Sequence, residues 1–294
     1  MKILEYYISQ IINGLAQGSI YALMAIGYSV VVGVVGLVTF THGEVMVLGA
    51  YAAYYAFTYF GNNLLLGLFA SFFASWFIGI FVYKICYERF FDAPRHISLI
   101  CTIGVSMLLK NLAQIFFGPN MKAMPQPIAL RFINLFGVRI NTIQIIIVVI
   151  VLALSLGLYI LNNKTRWGIQ LRAVSQDKKA SALMGINVKR TALIGNSIGC
   201  SLGGVAGMLL AIYYQSLVPT MGGTMGLKAF SSSVLGGLTE APASALGGLL
   251  IGLTENLGTA VLSNSYRDVF AFIFLVLVLI IKPEGFSKKV GGKL

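Results

Sequence analysis

Five ionisable residues stand in or beside long apolar runs: His42, Glu44, Lys110, Lys228 and Glu255. At the centre of a membrane helix such a residue costs about 2.5 to 3.5 kcal/mol on insertion scales, so each one present calls for a reason. Glu255 falls within an apolar run over residues 243–262, and Lys228 within a Gly- and Ser-rich run over 221–237. His42, Glu44, Lys228 and Glu255 are therefore the candidates for a polar translocation pathway. The competing reading makes them structural ion pairs, and makes Lys110, nearer the end of its run, a snorkelling lysine. His42 can act as a proton relay or a ligand, yet no second His or Cys stands at ligand spacing, so it reads as an interior histidine and no metal is expected. No Gly-x4-Gly-Lys-Ser/Thr loop occurs, and no HExxH or catalytically spaced acidic pair stands out. Such a chain is expected to move or hold something and not to be an enzyme.

The elements that position these residues are apolar runs arranged around one polar island, residues 163–190, NKTRWGIQLRAVSQDKKASALMGINVKR. Within it, Ser175 is expected to cap a helix beginning at Gln176, with Asp177 in the first turn and Gly185 ending it after about three turns. Ala180, Leu183 and Met184 then fall at i, i+3 and i+4 and make one apolar face, while Lys178 and Lys179 reach water. Two uses fit such a face: lying on the protein's own membrane domain, or docking in a groove of a soluble partner.

Composition sets the class. Of 294 residues, 57% are hydrophobic and only 10% charged, against about 25% charged in an ordinary soluble domain. Uninterrupted apolar runs of about 20 residues, without the alternating pattern of a barrel, predict an all-α integral membrane protein. The net charge of +12 is concentrated in loops between runs, which is the positive-inside pattern and argues against nucleic acid. Cys86, Cys101 and Cys200 read as small buried hydrophobes.

In order, the runs are 8–38, broken near its end; 45–60, after the sequence TFTHGE; 64–83; 97–117; 143–161; 191–214; the short or broken helix at 221–237; 243–262; and 269–281. That predicts a single polytopic bundle over 1–294 with about eight or nine crossings. The first run, too long for a signal peptide's apolar region, reads as a retained span. In 191–214, Gly195, Gly199, Gly203 and Gly207 recur every fourth residue, a stripe expected to let another helix approach closely. Residues 163–190 carry the densest Lys and Arg cluster, followed by the tail with Lys282, Lys288, Lys289 and Lys293 and the loop from Lys84. All three are expected in the cytoplasm, with 118–141 outside.

Four patches carry a resemblance: GSIYALMAIG at 18–27, THGE at 41–44, the pattern of Arg172, Ala173, Asp177, Ala180, Gly185 and Ile186, and GLKAFSSSVLGGLTEAPASALGG at 226–248. Together, in this order, they resemble the permease subunits of bacterial branched-chain amino-acid ABC importers. Lys110, Thr239 and Glu240 depart from the family pattern and leave the substrate open. The resemblance implies a multi-pass protein of the bacterial cytoplasmic membrane, paired with a second, related permease chain. It further implies two cytoplasmic ATPase subunits and an extracytoplasmic binding protein. ATP is then used by the partner subunits, with no cofactor bound by this chain. Arg172, Asp177, Ala180, Leu183, Met184, Gly185 and Ile186 would form the ATPase-coupling segment. From the residues alone, an ion-coupled secondary transporter using Glu44, Glu255 or His42, or a structural subunit of a membrane complex, stays open.

Overall fold

The computed structural model describes residues 2–91, 94–128, 131–135, 138–261, 263 and 266–281. Its helices are α1 (Lys2–Val35), α2 (His42–Phe60), α3 (Leu64–Tyr83) continued by a π turn (Lys84–Glu88), α4 (Arg95–Phe117) and α5 (Thr142–Lys164). There follow α6 (Arg166–Gln176), α7 (Lys178–Leu183), α8 (Val188–Tyr214), α9 (Met221–Gly236), α10 (Ala241–Val261) and α11 (Arg267–Ile281). This is an all-helical polytopic membrane protein. Among the described residues, five stretches are long and apolar enough to cross a bilayer: Glu5–Val35, Leu64–Glu88, His96–Phe117, Thr142–Lys164 and Val188–Tyr214.

Those five divide by what surrounds them. In their most apolar windows α1 and α8 are 94% and 83% buried, whereas α5 is 22% and α4 17% buried. The inner helices carry the glycines and polar residues and the outer ones the bulky aliphatics, because lipid accepts only apolar side chains whereas a protein interior can pair polar ones. α1 packs along α10 and α8, and α8 along α3 and α2. Glycines set these distances: a Cβ on Gly18 would stand 2.9 Å from Leu249 O of α10, and one on Gly27 2.6 Å from Gly199 O of α8.

Several sequence expectations are corrected. The first helix is not broken near its end: it runs unbroken to Val35 and stops at Gly36, whose φ of 78° an L side chain disfavours. The interruption comes after it, over residues 36–41, and THGE opens α2 rather than preceding it. The stretch after Tyr83 is a loop only in part, since the π turn prolongs α3 and buries Cys86 and Tyr87. The connection 118–141 is structured as well. Its β1 (Lys122–Ala123) pairs antiparallel with β4 (Ser216–Leu217), and β2 (Phe132–Leu135) pairs with β3 (Val138–Asn141), Phe132 opposite Asn141. Asp92 and the tail lysines Lys282, Lys288, Lys289 and Lys293 lie outside the described residues.

Candidate functional site: two charged centres and an exposed short helix

Around Lys228 the bundle holds a closed ionic cluster. Lys228 Nζ on α9 lies 2.7 Å from Glu255 Oε1 on α10 and 2.7 Å from Asp268 Oδ1 on α11. Lys228 and Glu255 are 2% and 0% exposed, and Asp268 is half exposed. Tyr21 donates to Glu255 Oε2 at 3.0 Å, Gln17 Nε2 donates to the same oxygen at 2.9 Å, and Asn256 Nδ2 donates to Gln17 Oε1 at 2.9 Å. Lys228 also donates to Tyr21 at 3.2 Å. Gln17 and Tyr21 are four apart on α1, which puts both on one face. Five helices thus meet here, because Gln17 also reaches Tyr214 at the end of α8 and Arg267 of α11 donates to that hydroxyl. Beside it, Asn141, Gln144, Tyr213, Tyr214 and Arg267 line a cavity of about 340 Å³.

His42 and Glu44 stand elsewhere, in the first turn of α2, well inside the bundle. The His42 ring meets Tyr28 edge-on at 5.4 Å between centroids. A Cβ on Gly203, near the middle of α8, would come within 2.8 Å of that ring. Glu44 is 4% exposed, and a Cβ on Gly222 of α9 would lie 2.7 Å from its Oε2. Among the described residues no hydrogen bond or ion pair joins His42 or Glu44 to Lys228 or Glu255. The four candidates form two centres, not one.

The glycine stripe of α8 is divided between two neighbours. Cβ atoms on Gly195 and Gly199 would strike Val34 and Val31 of α1, and those on Gly203 and Gly207 would strike His42 and Met46 of α2. Gly195 also faces Leu171 of α6.

At the end of the bundle where α1 stops, α6 and α7 emerge. α6 was not foreseen: its Gly168, Leu171 and Val174 are buried, at spacings of three that were legible in RWGIQLRAVSQ. It absorbs Ser175, whose hydroxyl donates to Arg172 O, so Ser175 caps nothing. The cap is Asp177, whose Oδ1 accepts from Lys179 N at 2.8 Å and Ala180 N at 3.0 Å. The helix it starts is α7, six residues long rather than three turns, and Gly185 at φ 82° ends it. Ala180, Leu183 and Met184 face solvent, Leu183 and Met184 at 88% and 83% exposed, while Ile186 packs inward against the bundle. Lys178 does not simply reach water: its Nζ donates to Val35 O at 2.6 Å and ties α7 to the last turn of α1. Arg172, on α6, bonds Asn163. Next to α7 a cavity of about 590 Å³ is lined by Phe91, Lys178, Lys179, Ala182, Ile186 and Lys189.

A bundle with charged centres in its membrane interior and an apolar helix presented beyond its end has the features of a transport protein that works with a partner. The chain belongs to the family described as branched-chain amino acid transport system / permease component, whose model matches residues 10–279. It is 36% identical to the high-affinity branched-chain amino acid transport system permease protein BraD of Pseudomonas aeruginosa, over 97% of each chain. It is 34% identical to the permease protein LivH of Escherichia coli K12, over 95% of each. To LivM, a second permease protein of the same organism's branched-chain system, it is 26% identical over 90% of this chain and 67% of LivM. No solved structure matches the chain.

Proposed function

We propose that this chain is one permease subunit of an ABC importer that carries amino acids, branched-chain ones foremost, across the bacterial cytoplasmic membrane. Its similarity to both LivH and LivM supports pairing with a related but distinct second permease. Two ATPase subunits bind on the cytoplasmic side and use the ATP, and an extracytoplasmic binding protein delivers substrate. The observation that carries this reading is α7. A capped six-residue helix that turns Leu183 and Met184 fully outward is an apolar surface awaiting a cleft.

In this reading residues 163–190 are the coupling segment of a single permease domain. ATP closes the ATPase dimer and displaces α7. The bond from Lys178 to Val35 carries that displacement to the end of α1, around which the bundle is packed. His42, Glu44, Lys228 and Glu255 belong to the pathway in different ways. The Lys228 cluster holds α1, α9, α10 and α11 together as one wall, and Glu44 is the group facing the path.

The test substitutes the exposed face. Ala180→Trp overfills a cleft and Leu183→Asp places an unpaired charge in it, each weakening docking. Co-purification of the ATPase and uptake are expected to fall together, while the amount of permease in the membrane stays unchanged. Full ATPase association and full uptake in both variants would reduce α7 to a surface loop.

A further inference from the structure

The cavity of about 340 Å³ beside the Lys228 cluster lies at the end of the bundle far from α7. α8 leaves the neighbourhood of α7 at Val188 and reaches the cavity with Ile212 and Tyr214, its 27 residues spanning about 40 Å. α5 makes the same journey in reverse, from Ile143 at the cavity to Lys164 at the polar island. With α7 on the cytoplasmic side, the cavity is at the end where substrate arrives. Its volume falls among those of small-molecule sites, about 300 to 1,000 Å³.

The cation on its wall is Arg267, and most of its donors are unused. Nη1 donates to the Tyr214 hydroxyl at 3.3 Å, and the guanidinium lies 5.6 Å from the centre of that ring. Nε is buried and has no hydrogen-bond partner among the described residues. No carboxylate among them closes on Arg267 either, because Glu255 and Asp268 both close on Lys228 at 2.7 Å. A buried donor without a partner is costly, so this edge of the guanidinium calls for a ligand. Gln215, on the same wall, is also held in an unusual way. It follows α8 with φ 55°, a left-handed conformation that glycine adopts more readily. Its backbone N–H is bonded to Ala211 and Ile212, whereas its side-chain amide has no partner among the described residues. Ile143 and Ile212, both buried, add aliphatic surface to the lining.

These three features match the three parts of an apolar α-amino acid. A carboxylate takes two parallel bonds from one edge of a guanidinium, and Nε with Nη2 is the edge that Tyr214 leaves open. An ammonium donates to an amide oxygen such as that of Gln215. An aliphatic side chain is accepted by isoleucines. We infer that this cavity is an entry site for the free amino acid, with Arg267 anchoring its carboxylate and Gln215 receiving its ammonium. The inference rests on the transport reading above and adds to it two residues and a place on the path, one that comes before the buried charges. The Lys228 cluster then has a second use: by occupying both nearby carboxylates it keeps them off Arg267.

The experiment uses the whole transporter, reconstituted with its ATPases, second permease and binding protein, and compares Arg267→Gln, Arg267→Lys and Gln215→Gly. Uptake of radiolabelled leucine and the stimulation of ATP hydrolysis by loaded binding protein are scored against the amount of assembled complex. Arg267→Gln should lose about tenfold or more of its uptake, the loss expected from a charge-assisted pair of bonds, yet keep its stimulation. Arg267→Lys should recover only part of the uptake, because an ammonium lacks the fork. Gln215→Gly keeps the backbone conformation without the amide, and should assemble as the wild type does with uptake lowered severalfold. Wild-type uptake in Arg267→Gln overturns the inference, and so does an equal loss of stimulation, which would make Arg267 a contact for the binding protein. If Arg267→Gln fails to assemble, Gln215→Gly decides, and wild-type uptake there overturns the inference. The wild type should also take up leucine equally well in phosphatidylcholine vesicles and in vesicles containing phosphatidylglycerol. A need for the anionic lipid that Arg267→Gln abolishes would assign the cavity to a headgroup phosphate instead. Absence of uptake in the wild-type complex under both conditions would count against the transport reading itself.

Discussion

Lys228 and Lys110 are both ammonium groups within membrane-spanning structure, and their surroundings could hardly differ more. Lys228 is saturated: two carboxylates at 2.7 Å and a tyrosine hydroxyl at 3.2 Å surround it, with helices on every side. Lys110 is half-buried on α4, the span least enclosed by protein, and among the described residues no hydrogen bond or ion pair closes upon it. The glycines report the same contrast. A Cβ on Gly207, in the inner bundle, would lie 2.4 Å from Met46 O, whereas one on Gly104 of α4 would meet nothing within 4 Å. The lesson is that charge in a membrane domain has two uses. Where all its bonds are made it fixes helices together, and where they are left open its long stem lets it reach toward the membrane surface.

The strongest way to break this comparison is to open the closed cluster. Glu255→Ala removes the carboxylate that Lys228, Gln17 and Tyr21 share, and breaking a buried pair costs about 3 to 5 kcal/mol. Purified protein should unfold at markedly lower temperature and accumulate poorly. Lys228→Met combined with Glu255→Met removes both charges and should recover much of that loss, since a buried pair replaced by apolar groups is often neutral. If the double variant is no more stable than the single, the cluster's worth lies in its hydrogen bonds to Gln17 and Tyr21.

Next in size is overpacking where there is no slack. Gly207→Ala meets a backbone oxygen that cannot rotate away, and Gly203→Leu drives into the His42 ring; about 1 to 3 kcal/mol is the expected cost of each. Thermal unfolding in detergent and the yield of assembled complex would measure it. Wild-type stability in both would mean that α2 and α8 are not held at the separation described. The smallest effect should carry the opposite sign. Gly104→Ala fills open space and removes a helical glycine, and is expected to leave stability unchanged or raise it by about 0.5 to 1 kcal/mol. A loss of stability there would place a second protein surface against α4.

Legibility in the sequence followed the same divide. α3 coincides with the run between Asn63 and Lys84 because Asn63 accepts from Leu65 N and so caps it, a local signal. The recurrence of glycines on α8 was equally visible, being periodic. What hid was whatever depended on distant partners. Gln17 was passed over as part of a small-residue span, and only contact with Glu255, far along the chain, gives it a purpose. At the polar island two capping residues stood two positions apart, and the choice between Ser175 and Asp177 turned on α6, which runs through Ser175 to Gln176. Cys86 and Cys101 carry no paired spacing, yet their sulfurs stand 3.7 Å apart, where α4 meets the π turn.

The bond between Gln17 and Glu255 also has a consequence for how the protein is made. The two residues are separated by 238 positions, so a chain emerging amino terminus first delivers α1 to the membrane long before α10 exists. Through most of synthesis Gln17 and Tyr21 wait in lipid, or beside the insertion machinery, without the carboxylate that will satisfy them. The bundle's central helix is thus the last to be completed. Nascent chains that stop before residue 255 should bear a polar flaw in their first span, one that membrane quality control can read.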